Sequence, residues 1–127
     1  MSSSGSTGPI GMDYTHVFAG VAVADFPAAA AWYERLLGRP ADLVPNWNEV
    51  AWEITGGGWI YVVGDSTRAG KALVTLLVDD LDDRIAEFAE RGLAPVRIDT
   101  LPNLVRKATI TDPEGNQITL GQPLPTS

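Results

Sequence analysis

The chain has 127 residues, 45% of them hydrophobic, with no cysteine and 16 acidic against 9 basic residues for a formal charge of −7. Such a length and composition suit one domain with its own core, and the missing cysteines exclude disulfides, thiolate metal sites and a cysteine nucleophile, so stability must come from packing. The acidic balance argues against nucleic acid as a partner, and no run nears the roughly 18 apolar residues that span a bilayer, so a soluble cytoplasmic protein with no membrane partner is expected.

Residues 1–12 are Ser/Gly-rich without periodicity and read as a disordered or vector-derived tail. A single domain is expected over 13–122, with a tail over 123–127. The stretch His16–Ala24 suits a strand, and Asp25 can cap a helix whose apolar positions Phe26, Ala29, Ala30, Tyr33, Leu36 and Leu37 recur at helical spacing until Gly38. Trp32 reads as helix packing. Three further strands are predicted over Ala41–Val44, Glu49–Thr55 and Trp59–Val63, the last two joined by the glycines 56–58.

The order then repeats. A strand over Ala72–Val78 leads to a helix from about Leu81 to Arg91 with Leu81, Ile85, Phe88 and Ala89 on one face, stopped by Gly92. Strands follow over Pro95–Ile98, Val105–Thr111 and Gln117–Leu120, with DPEG (112–115) as the last turn. Asp25 falls on Asp80, an offset of 55 residues, which defines module one as 15–64 and module two as 71–121. The expected class is therefore α+β, in two βαβββ modules with the helices on one side of mostly antiparallel strands.

The segments WYERLLGRP (32–40), LVDDLDD (77–83) and TDPEGNQITL (111–120), in this order and duplicated spacing, resemble the vicinal oxygen chelate superfamily of glyoxalases, bleomycin-resistance proteins and dioxygenases. The resemblance covers residues 15–121 and implies a half-open barrel, helices on its outer face and a divalent metal on its concave face. It places ligands at Phe18, Tyr61, Leu73 and Thr119, where no side chain is His, Glu or Gln. Hard or borderline divalent ions need three or four converging oxygen or imidazole ligands, so no metal and no cofactor are expected. His16, the only histidine, shares the strand face of Phe18.

Strand alternation from those four positions sorts the remaining residues. Facing inward are His16, Phe18, Trp59 and Tyr61 as an aromatic wall, and Glu53, Thr75, Lys107, Thr109 and Thr119 as polar groups, with Trp47 on the PNWNE approach loop as either a lid or the cover of a barrel edge. Aromatic surface with a few convergent polar groups is the composition of a small-molecule pocket. The reading is a metal-independent protein of the bleomycin-resistance kind, binding a small aromatic or cationic compound. The alternative is a glyoxalase- or dioxygenase-like lyase or isomerase, using Glu53 as a catalytic base or an atypical metal site built from His16 and Glu53. The resemblance also implies a homodimer, and exposed edge strands give it a physical reason.

Overall fold

The computed structural model describes residues 13–125; the predicted tail at 1–12 lies outside them. Its elements are β1 (Val17–Val23), α1 (Phe26–Leu37), β2 (Leu43–Asn46), β3 (Glu49–Thr55), β4 (Gly58–Gly64), β5 (Leu73–Leu77), α2 (Leu81–Glu90), β6 (Arg97–Leu101), β7 (Val105–Thr111) and β8 (Gln117–Pro123). The α+β class and both βαβββ modules are as the sequence predicts.

The strands form two four-stranded sheets, ordered β1-β4-β3-β2 and β5-β8-β7-β6. In each, the outer pair (β1 with β4, β5 with β8) is parallel and the other pairs are antiparallel. The repeat holds to the residue. Phe18 opposes Trp59 and Gly20 opposes Tyr61 in module one; Leu73 opposes Gln117 and Thr75 opposes Thr119 in module two. The sheets are not hydrogen-bonded strand to strand, so the barrel is not closed.

Each helix covers one face of its sheet, and the inward-facing side chains of both modules meet in one core that includes Val21, Tyr33, Leu36, Trp52, Ile60, Leu81, Phe88 and Ile118. Trp32 is buried against Tyr33, ring edge to ring face at 4.8 Å. Ala89 departs from its predicted place and is exposed, because α2 reaches its sheet through Leu81 and Phe88. The edge strands also moved. β2 lies two residues later than predicted, with an irregular register around Pro45, and β6 likewise starts at Arg97. An edge strand buries little, so hydrophobic pattern constrains its ends weakly. β8 runs on to Pro123, and the Leu124 N–H bonds the Leu104 carbonyl.

The helix caps differ between modules. Asp25 accepts a bond from the Ala28 N–H at 3.2 Å, whereas Asp80 makes no cap bond and the Leu81 N–H goes to Gln122 Oε1 at 2.9 Å. At the other ends the modules exchange arginines. Arg35 of α1 donates to the Arg91 carbonyl at 2.8 Å, and Arg91 donates to the Leu36 carbonyl at 3.0 Å. A cation at a helix C-terminus meets the negative end of the helix dipole, so each module stabilises the end of the other's helix. Gly38 and Gly92 stand beside these guanidinium groups, and a Cβ on either would lie 3.1 Å from a guanidinium nitrogen.

A buried polar knot completes the seam. Asp112, in the β7–β8 turn, accepts from the Tyr33 hydroxyl at 2.8 Å, from Asn116 Nδ2 at 2.8 Å and from the Glu114 and Asn116 backbone N–H groups. Asn116, fully buried, also donates to the Ala22 carbonyl and accepts from the Ala72 N–H. Glu114 accepts from the Ala24 and Asp25 N–H groups. Burial first, and then the Asp112 carboxylate, push the Tyr33 hydroxyl far above the ordinary tyrosine range, so it stays a donor.

Candidate functional site

The helices cover the apolar parity of β1, β3, β4, β7 and β8, and the opposite faces of the two sheets carry no helix. On module one that face carries Phe18, Gly20 and Ala22 of β1, Trp59, Tyr61 and Val63 of β4, and Glu49, Ala51, Glu53 and Thr55 of β3. Phe18 is 48% exposed, although its ring stacks on Trp59 at 5.4 Å and 18° and lies tilted at 6.4 Å from Tyr61. Gly20 makes the cluster possible, since a Cβ there would sit 2.6 Å from the Tyr61 ring. The indole Nε1 of Trp59 is buried without a hydrogen-bond partner among the described residues.

Glu53 opposes Trp59 across β3 and β4 and is exposed, with its Oε2 3.3 Å from the Gly57 N–H of its own hairpin turn. Its backbone is clamped: Asp42 Oδ2 accepts from the Glu53 N–H at 2.8 Å and from Arg39 at 2.7 Å, and Arg39 also reaches the Glu53 carbonyl. The bond from Arg39, backed by the Glu53 N–H, holds the Asp42 carboxyl below the usual carboxylate range. His16 approaches the same turn, a Cβ on Gly57 lying 3.8 Å from its Cα, but its exposed ring bonds only Thr15 Oγ1, at 2.8 Å.

Module two offers different chemistry at the same register. Thr75, Thr119 and Thr109 lie side by side, the Thr109 and Thr119 hydroxyls 3.3 Å apart, and the Lys107 stem crosses Gly121. Leu73 and Leu77 flank Thr75 at 79% and 69% exposure. Thus Phe18, Trp59, Tyr61 and Glu53 come together with His16 at their margin, while Thr75, Lys107, Thr109 and Thr119 gather on the other sheet. Glu53 and Lys107 form no ion pair among the described residues. Trp47 joins neither group. It sits 85% exposed in the β2–β3 turn, sharing a groove with Phe26, Pro27 and Asp65 at the end of module one where α1 begins.

The metal implied by the resemblance fails on donor chemistry. The four assigned positions present two aromatic rings, a leucine and a threonine, and among the described residues no three His, Asp or Glu converge to hold an ion.

Residues 17–121 match the glyoxalase-like domain. The chain belongs to that family, within the vicinal oxygen chelate superfamily. A glyoxalase/bleomycin resistance protein from Catenulispora acidiphila DSM 44928 is 41% identical, with a TM-score of 0.83 over 88% of this chain and 100% of that one. TnmS3, an antibiotic-binding protein from Streptomyces sp. CB03234, is 30% identical, with a TM-score of 0.69 over 89% of this chain and 99% of its own. A lactoylglutathione lyase from Agrobacterium tumefaciens shares the fold at 19% identity and a TM-score of 0.69, over 84% of this chain and 91% of that one. No curated protein sequence matches the chain.

Sequence reasoning missed the seam: it reads Asp112 only as the start of a turn, and nothing local marks Asn116, Arg35 or Arg91, because each has a partner in the other module.

Proposed function

We propose that this glyoxalase-like protein binds a small aromatic or cationic compound without a metal, on the open face of module one. The observation that carries the reading is the Phe18–Trp59 stack, apolar surface left half in water beside an indole N–H that has no partner. A flat ring laid on Phe18 and Tyr61 removes that surface from water, and Glu53 supplies charge at the edge. The chain's net charge of −7 favours a cation over an anion in the encounter. The 30% identical relative described as antibiotic-binding supports binding rather than turnover. Glu53 is a poor base here, exposed and turned onto its own hairpin, which weighs against the lyase or isomerase alternative.

A homodimer is proposed separately. Leu73, Ile98 and Leu101 are exposed, and the edge strands β1, β2, β5 and β6 are unpaired on one side. Light scattering at micromolar concentration is expected to give twice the chain mass; a monomer would count against it.

The test of binding is a titration with 9-aminoacridine, a planar aromatic cation, followed by tryptophan fluorescence. Saturable quenching with a raised melting temperature is expected, weakened about tenfold or more in Phe18→Ala. A flat response, or equal binding to the variant, overturns the proposal.

A further inference from the structure

A second cavity lies between the modules, away from the ring cluster. It has a volume of about 590 Å³ where the ends of α1 and β3 meet β5 and α2; Thr55, Thr75 and Leu77 bring the open faces to its edge, and neither Phe18, Trp59 nor Tyr61 lines it. That volume falls inside the roughly 300–1,000 Å³ of small-molecule sites. Its lining pairs apolar side chains, among them Leu36, Leu76 and Phe88, with the guanidinium groups of Arg39, Arg84 and Arg91.

Charge there is unbalanced in one direction. Three arginines line the cleft against a single carboxylate, Glu87, in a chain that is otherwise strongly acidic. Arg39 is paired with Asp42 at 2.7 Å, and Arg84 with Asp80 at 3.3 Å and Glu87 at 2.9 Å. Arg91 has no carboxylate partner among the described residues. Arg91 therefore brings to an apolar cleft a guanidinium whose charge no carboxylate of the described residues balances, and an anionic acceptor from outside the chain would balance it.

We propose that the cleft binds a small amphipathic carboxylate, its apolar body against Leu36, Leu76 and Phe88 and its carboxylate accepting from Arg91 and Arg84. A guanidinium presents its donors in a planar fork that matches two carboxylate oxygens. The carboxylates already on Arg39 and Arg84 leave room for one added negative charge and disfavour a dianion such as a phosphate monoester. The site shares none of Phe18, Trp59 and Tyr61 with the ring cluster and does not depend on the function proposed for that cluster.

Calorimetric titration of the full chain with decanoate, decanol and decyltrimethylammonium tests this. Decanoate is expected to bind saturably, one per chain, and the neutral and cationic decyl compounds at least about tenfold more weakly. Arg91→Met is expected to weaken decanoate about tenfold. Because Arg91 also caps α1, Leu76→Trp provides a second variant that keeps all three arginines and fills the apolar part of the cleft, with a similar loss expected. Saturating 9-aminoacridine is expected to leave decanoate affinity unchanged. Decanol binding as tightly as decanoate, displacement of decanoate by 9-aminoacridine, full affinity in Leu76→Trp, or no saturable binding would each overturn the proposal.

Discussion

The seam between the modules and the open face of module one invert each other's chemistry. At the seam, polar groups are buried and bonded: Asp112 accepts four hydrogen bonds, and Asn116 serves both modules. On the open face, apolar rings stand in water while a polar atom, Trp59 Nε1, is buried and unbonded. A satisfied buried network fixes one structure, whereas exposed rings stabilise nothing until something covers them. The contrast motivates the proposal that one region serves stability and the other recognition, and each half of it can be broken separately.

The largest effect is expected at the seam. Asn116→Ala leaves the Ala72 N–H and part of the Asp112 carboxylate without partners in a dry site, so urea unfolding should show a loss of about 3 kcal/mol. Affinity for 9-aminoacridine should be retained wherever the variant is folded. A loss well under 1 kcal/mol would mean that the knot is not what joins the modules.

Tyr33→Phe removes one donor from Asp112 and should cost about 1–2 kcal/mol at neutral pH. The variant also carries a signature in pH. The native phenol is held protonated, while an unfolded tyrosine ionises near about 10. Its contribution is therefore complete below that pH and is lost as pH rises above it, because the unfolded state releases a proton that the native state keeps. Stability of the parent chain should fall more steeply above about pH 10 than that of Tyr33→Phe. Equal alkaline slopes would contradict a buried, proton-retaining Tyr33.

The open face should behave in the opposite way. Phe18→Ala truncates a half-exposed ring, so unfolding free energy should change by less than about 1 kcal/mol while 9-aminoacridine binding falls about tenfold or more. Glu53→Gln is expected to have the smallest effect, no change in stability and a loss of about threefold in affinity for the cationic probe, measured by the same titration. A Glu53→Gln effect as large as that of Phe18→Ala would move the centre of the site from the rings to the carboxylate.

These two regions were legible in the sequence to different degrees. Strand parity is local, so once the family resemblance places Phe18 and Tyr61 at ligand positions, alternation puts Trp59 on the same face. Gathering all ten candidates into one pocket was not possible on that basis. Parity says which way a strand faces and nothing about how two sheets are set against each other: His16 stands at the margin of the ring cluster, while Trp47, Lys107 and the module-two threonines lie apart from it. The seam was hidden for the same reason. Tyr33 meets Asp112 across 79 residues, and a turn sequence such as Asp-Pro-Glu-Gly gives no sign that its carboxylate will anchor a distant helix. The repeat itself, with Gly38 and Gly92 ending equivalent helices, was visible because caps and helical periodicity are written within a few residues of one another.

The central claim is that rings have replaced metal ligands at this site, and the most direct test is the metal dependence of binding. Calorimetry with 9-aminoacridine should give the same affinity for protein treated with EDTA and for protein supplied with Mn²⁺, Ni²⁺ or Zn²⁺, with no stoichiometric metal retained after purification without chelator. Binding that disappears with EDTA and returns with one of these ions, together with loss of that ion in His16→Ala or Glu53→Gln, would contradict it.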